Sequence, residues 1–155
     1  MKYLNADIKQ YTQAKKYVDT AILPLIPYSF NSDQDLLQLS SQKELIQLYI
    51  SQIESELKGR VFSLPEYYYL KQDKILDEEK ERLKGFISHI NQQPFEYIFL
   101  ITSDSKWRKA SRDLDAELVW LPGFSSTEMN QEETQKFIQS QVQEIKMLIQ
   151  DSWSD

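Results

Sequence analysis

The sequence predicts a single three-layer α/β/α domain with a mostly parallel four-stranded sheet flanked by helices. Short apolar stretches alternate with helical patterns along the 155 residues, as expected when helices cross over between parallel strands. The run at residues 97–101 is apolar without interruption, which is typical of a strand covered on both faces. A chain of this length normally forms one domain.

The first helix and the first strand follow from local signals. Asn5 is a suitable N-cap, and apolar residues recur at helical spacing over residues 8–18. The first strand covers residues 21–27. Because Pro24 and Pro27 each remove a hydrogen-bond donor, we expect this strand near an edge of the sheet or ending by Pro27.

A second helix and strand are predicted next. Ser41 and Glu44 have the spacing of a capping box, so the helix is expected to begin there. Gly59 is placed to end the helix with a left-handed backbone. The second strand covers residues 60–64, and the tyrosine triplet 67–69 follows it.

The second half of the chain predicts two more helices and two strands. A helix over residues 77–91 precedes the apolar strand at 97–101, and residues 117–121 form the fourth strand. The connection between these two strands is short. The fourth strand therefore pairs antiparallel or crosses over by a short helical turn. Asn130 and Glu133 are expected to cap the last helix.

Composition limits the classes of partner and compartment. Eighteen Lys and Arg against 24 Asp and Glu give a net charge of −6, which argues against nucleic acid and anionic membranes as partners. The chain has no cysteine, so it has neither disulfides nor thiolate chemistry. It shows no signal-peptide pattern and no apolar run approaching the ~20 residues of a membrane span. We expect a cytoplasmic protein.

Catalytic motifs are missing from the sequence. His89 is the only histidine and lies inside a predicted helix, so no other histidine is present around which a Ser-His-acid triad could form, and no acidic cluster has metal-ligand spacing. The three glycines lie outside any phosphate-binding loop pattern. Nucleic-acid binding has one local argument, because Trp107 lies in a basic stretch and could stack on a base. Nearby aspartates offset most of the charge of that stretch. No cofactor or metal is expected.

The candidate site is the polar segment that follows the strand at 97–101. Ligands of open α/β sheets gather beyond the carboxyl ends of the strands. The candidate residues come from this segment and from the end of the second strand: Thr102, Asp104, Lys106, Trp107, Arg108, Glu66, Tyr67 and Tyr68. In a pocket Asp104 would accept hydrogen bonds and Lys106 or Arg108 would hold an anion. Alternatively, Trp107 and a tyrosine pack over the sheet end while the charges pair at the surface.

Several segments together resemble a known family. The residues are VDTAILPLIP at 18–27, KGRV at 58–61 with Leu64 and Pro65, Thr102 with Trp107, and WLP at 120–122. In this order they are similar to the YpiF-like proteins of Bacillus and related Firmicutes, a domain of unknown function. The resemblance implies a small cytoplasmic bacterial protein and supplies no catalytic residues.

Two functions are compatible with these patterns. The first is a non-enzymatic protein-interaction domain with a protein partner, because aromatic side chains suit interfaces and catalytic motifs are missing. The second is binding of, or chemistry on, a small anionic ligand at residues 102–108.

Overall fold

Five strands form one parallel sheet between two layers of helices in the computed structural model, which describes residues 1–123 and 130–154. The strands are β1 (Thr20–Tyr28), β2 (Val61–Ser63), β3 (Tyr67–Leu70), β4 (Tyr97–Thr102) and β5 (Glu117–Trp120). The helices are α1 (Asn5–Gln13), α2 (Asp33–Glu56), α3 (Asp77–Ile90), α4 (Trp107–Ala110) and α5 (Gln131–Trp153). The predicted α/β architecture is confirmed. The additional strand, β3, is the tyrosine triplet with Leu70.

The strand order is β2-β1-β4-β5, and β3 continues the edge begun by β2 by pairing with the second half of β1. β5 is parallel to β4, so the direction that the sequence left open is decided by the short helix α4. α2 and α5 cover one face of the sheet, whereas α3 and α4 cover the other. The chain crosses from β1 to β2 and later from β3 past β1 to β4. The carboxyl ends of β1 and β4 therefore flank the point where the winding direction reverses.

β1 lies inside the sheet, next to the edge that β2 and β3 form, so it is near an edge as expected but pairs on both sides. In a parallel strand, alternate residues direct their backbone groups to opposite neighbours. Pro24 faces the side of β2 and β3 and falls in the gap between them, because β2 pairs as far as Ile22 and β3 starts at Leu25. Pro27 faces β4, whose ladder with β1 ends at Pro24. Each missing N–H therefore lies where no ladder partner is available.

The start of α2 differs from the prediction, whereas Gly59 after its end behaves as predicted. α2 begins at Asp33, where the Ser32 hydroxyl accepts a hydrogen bond from the Asp35 N–H at 3.1 Å. The predicted start at Ser41 is wrong, because Ser32 already caps the helix two turns earlier. Gly59 has the expected left-handed backbone, with φ of 95°.

α5 is capped at its start and anchored to the sheet at its end. The Asn130 side chain accepts a hydrogen bond from the Glu133 N–H at 2.8 Å, which confirms the predicted cap. At the other end the Trp153 indole donates to the Thr20 hydroxyl at 2.8 Å, and the Arg60 guanidinium lies over the indole ring at 3.9 Å. These contacts hold the last helix against the start of β1.

Candidate functional site

Asp104 is the centre of a hydrogen-bonded cluster at the carboxyl end of β4. The Tyr69 hydroxyl donates to its Oδ2 at 2.6 Å, and the Lys106 backbone N–H donates to its Oδ1 at 3.1 Å. The Asp104 N–H in turn donates to the hydroxyl of Thr102, which is fully buried, at 3.0 Å. Both oxygens of the carboxylate therefore already accept a hydrogen bond from the protein.

Trp107 packs against this cluster and covers it. Its side chain is fully buried at the start of α4, and its ring meets that of Tyr69 edge to face at 5.5 Å. Burial, reinforced by the Asp104 carboxylate, raises the pKa of Tyr69, so its hydroxyl remains a proton donor. This is the packed arrangement that the sequence offered as the alternative to a pocket.

Tyr69 is the residue that sequence reasoning missed. The signal was the period of two in a strand, which places Tyr67 and Tyr69 on one face and Tyr68 on the other. Because the triplet was placed after the second strand and was not predicted to be a strand of its own, that alternation was not applied.

The two basic candidates point in different directions. The Lys106 ammonium donates to the backbone oxygen of Gln72 in the β3–α3 connection. Arg108 is exposed, and its guanidinium lies 4.8 Å from the ring centre of Trp120 on β5. The Trp120 indole donates to the Ser103 carbonyl at 3.2 Å. Lys106 and Arg108 therefore do not converge on one anion.

The candidates from the other strand divide between the two faces of the sheet. Tyr67 is buried beside Tyr69 with ring centres 6.2 Å apart, and its hydroxyl donates to the Glu79 carboxylate of α3. Glu66 accepts hydrogen bonds from Gln47 of α2 and from Tyr68 on the opposite face. Glu66 and Tyr68 are thus separated by the sheet from the Asp104 cluster, and their role in binding stays a prediction.

A basic cleft of about 360 Å³ lies next to the cluster, between α4 and the β3–α3 connection. Lys74, Lys106 and Lys109 line it and make no salt bridge within residues 1–123 and 130–154. Lys80 also lines the cleft but pairs with Asp113 at 2.5 Å. The remaining lining residues are Asp73, Ile75, Asp77 and Ala110.

An exposed aromatic surface occupies the outer edge of the sheet on the α2 side. We call it the edge patch and define it as Tyr28, Phe30, Tyr68 and Leu70. The Tyr28 ring makes edge contacts with Phe30 and with Tyr68, each at 6.2 Å. Leu70 is the register partner of Tyr28, and Phe30 is 78% exposed. The patch is therefore contiguous apolar surface that the fold leaves open.

The described part of the chain contains neither a metal-binding cluster nor a membrane-spanning helix. No group of His, Asp and Glu side chains there could hold a metal ion. None of the helices described is long and apolar enough to cross a membrane.

Comparison with known proteins places the chain in a family. The sequence profile of the family described as Protein of unknown function (DUF2487) matches residues 9–153, which extend from α1 to the end of α5. The chain is also similar to the uncharacterized protein YpiF of Bacillus subtilis strain 168, with 29% identity over 155 residues and 99% of each chain covered. No solved structure matches it. The chain belongs to the DUF2487 family of proteins of unknown function, which confirms the resemblance to YpiF-like proteins.

Proposed function

We propose that this domain is a non-enzymatic, cytoplasmic protein-interaction module that binds an extended segment of a partner protein along β3. The observation that carries the proposal is the edge patch, which lies directly beside the free side of an edge strand. Exposed aromatic side chains next to unpaired backbone groups are the features used when a peptide adds a strand to a sheet.

The backbone of β3 supports this mode of binding. The Lys71 N–H donates to the Tyr28 carbonyl at 2.9 Å, so Tyr69 and Lys71 direct their backbone groups toward β1. By the alternation of a parallel strand, Tyr68 and Leu70 direct theirs outward. Arg82 donates to the Tyr68 carbonyl at 3.0 Å, which leaves the N–H and carbonyl of Leu70 for a partner strand.

The construction of the β4 end also supports an interaction role. The polar side chains there, which would be the first choice for catalysis, bond to one another and to the backbone. The Asp104 carboxylate has donors on both oxygens, and the Lys106 ammonium gives one of its three hydrogen bonds to the Gln72 carbonyl. These bonds stabilise the connection after β4 and leave the open surface to the aromatic edge.

Site-specific photo-crosslinking in cells tests the proposal. A photoreactive phenylalanine analogue is placed at Phe30, and a matched probe is placed at Met147, which is 60% exposed on α5. We expect the Phe30 probe to cross-link one defined protein that the Met147 probe does not. A purified complex should then dissociate with Tyr68→Ser and survive Met147→Ser. Equal cross-linking from both positions, or none from either, would refute the proposal.

A second candidate is the binding of a small multivalent anion in the basic cleft. The observation that favours it is three lysines around one cleft that have no salt-bridge partner among the described residues, in a chain with a net charge of −6. The lysines that would hold the anion are Lys74, Lys106 and Lys109, because Arg108 lies over Trp120 instead.

Titration with pyrophosphate at constant ionic strength tests this candidate. We expect saturable thermal stabilisation of the wild type that is lost in the double variant Lys74→Ala and Lys109→Ala. Lys58→Ala removes an exposed lysine outside the cleft and should leave the stabilisation unchanged. Stabilisation of the same size in all three proteins would mean that the anion does not bind in the cleft.

A further inference from the structure

A separate pocket of about 330 Å³ lies at the amino end of the sheet, away from the edge patch and the basic cleft. It is bounded by α1, the end of α3 and the residues that lead into β4. Its size lies within the range of roughly 300–1,000 Å³ that is usual for small-molecule sites. It depends on none of the residues used in the proposed function.

The floor of the pocket is a preformed cluster of three aromatic rings. Tyr11 meets Phe62 edge to face at 5.2 Å and stacks on Phe95 at 5.8 Å. The Tyr11 hydroxyl donates to Gln93 Oε1 at 3.0 Å, which fixes the orientation of the ring. Tyr11 and Phe62 are almost fully buried, so the apolar floor exists before any ligand binds.

The rim of the pocket carries only positive charge, which is unusual in this acidic chain. None of the thirteen described residues that line it is Asp or Glu, although the chain has 24 acidic residues. Lys15 and the single histidine, His89, both line it. The Lys15 ammonium lies 5.8 Å from the Tyr11 ring centre and makes no salt bridge within the described ranges.

The end of α3 contributes side-chain donors to this rim, namely the His89 ring and the amides of Gln92 and Gln93. The N–H groups of Asn91, Gln92 and Gln93 already bond to the last carbonyls of the helix. The exposed carbonyl dipoles that would repel an anion are therefore reduced, and a ring N–H of His89 can donate to a ligand.

We propose that this pocket binds a small monocarboxylate with an aromatic or aliphatic body. The apolar body lies on Tyr11, Phe62 and Phe95, and the carboxylate is held by the Lys15 ammonium and the His89 ring. An apolar floor recognises the body through buried area, and the charge-assisted hydrogen bond from lysine selects the acid over a neutral compound of the same shape.

The test is an NMR titration of the whole protein with 3-phenylpropanoate and with its neutral isostere, 3-phenylpropanamide. We expect saturable shifts confined to the amides around Tyr11, Phe62 and Phe95, and at least tenfold tighter binding of the acid. Lys15→Ala should reduce the affinity for the acid toward that for the amide, because only the His89 ring then holds the carboxylate. Lys16→Ala is the matched control, because its ammonium lies over Tyr17, outside the pocket.

A variant that fills the pocket completes the test. Thr12 is exposed on α1 and lines the rim, so Thr12→Trp should abolish binding while the protein remains folded. The proposal is overturned if the acid gives no saturable shifts, if acid and amide bind equally, or if Lys15→Ala and Lys16→Ala have the same effect. It is also overturned if Thr12→Trp folds and binds the acid as the wild type does.

Discussion

Tyr68 and Tyr69 are neighbours in β3, but they belong to regions of opposite construction. Tyr69 is buried, donates to Asp104 and packs on Trp107. Tyr68 is 40% exposed and lies in the edge patch beside Tyr28. We call Tyr69, Asp104 and Trp107 the closed region. The comparison teaches that the polar residues that first suggested a ligand site belong to this closed region, whereas the exposed region is aromatic. The proposals therefore predict that closed-region variants lose stability and that edge-patch variants lose binding.

Trp107→Ala should have the largest effect. Removal of a fully buried indole leaves a cavity between α4 and the sheet, and comparable substitutions cost about 3–5 kcal/mol of the free energy of unfolding. Urea denaturation followed by circular dichroism measures this loss. The control is Phe30→Ala in the edge patch, where the exposed ring contributes little to folding and we expect a change within about 0.5 kcal/mol. Similar losses in the two variants would remove the distinction between the regions.

Tyr69→Phe should have the next largest effect. It removes the donor to Oδ2 of the half-buried Asp104, and a hydrogen bond to a charged group contributes about 1.5–3 kcal/mol. A double-mutant cycle with Asp104→Ala, which leaves no acceptor for Tyr69, measures the coupling between the two side chains. Tyr68→Phe is the matched control on the exposed face and should change stability by less than about 1 kcal/mol. A coupling energy near zero would show that the bond does not stabilise the fold.

Much of the fold was predictable because its signals are local. The apolar run at 97–101, Gly59 and the cap at Asn130 each depend on a few consecutive residues, and each agrees with the structure. The pairing of β1 on both sides was not predictable from Pro24 and Pro27. Their tolerance depends on gaps in the neighbouring ladders, and only the assembled sheet reveals those gaps.

The candidate site was predictable in part for the same reason. Thr102, Asp104 and Trp107 are close in sequence, so a single connection brings them together. Tyr69 joins them from 35 residues away, and its contact with Asp104 depends on the pairing of β3 and β4 with β1. Glu66 was assigned to the same site, but it lies on the α2 face with Gln47. Side-chain alternation decides that difference, and it could be applied only once β3 was known to be a strand.

Tyr49 extends the comparison to a buried tyrosine without a partner. Burial raises the pKa of Tyr49 to about 12, and among the described residues its hydroxyl has no hydrogen-bond partner. Because the pKa of the folded state exceeds the value of about 10 in the unfolded chain, the unfolded chain ionises first. This contribution to stability is complete below pH 10 and is lost as the pH rises toward 12.

Tyr49→Phe should therefore be nearly neutral at pH 7 and beneficial at high pH. It removes a hydroxyl that makes no hydrogen bond within residues 1–123 and 130–154, so we expect a change within about 1 kcal/mol at neutral pH. At pH 11 the variant should gain about 1 kcal/mol relative to the wild type, since one ionisation changes stability by up to about 1.4 kcal/mol per pH unit. Urea denaturation between pH 8 and 11 measures how the free energy of unfolding of each protein changes with pH. If the free energy of unfolding depended on pH equally in the two proteins, the raised pKa of Tyr49 would be contradicted.

Arg108→Ala should have the smallest effect on stability. It also tests whether Arg108, the most exposed candidate in the segment after β4, binds an anion. Its guanidinium lies over Trp120 at 4.8 Å, and an exposed cation–π contact contributes about 0.5–1 kcal/mol. We expect a stability loss of that size, largely restored by Arg108→Lys, and no change in the pyrophosphate titration. A loss of pyrophosphate binding would instead place Arg108 in an anion site shared with Lys106. Because the two cations diverge in the structure, such a site would require the segment after β4 to rearrange on binding.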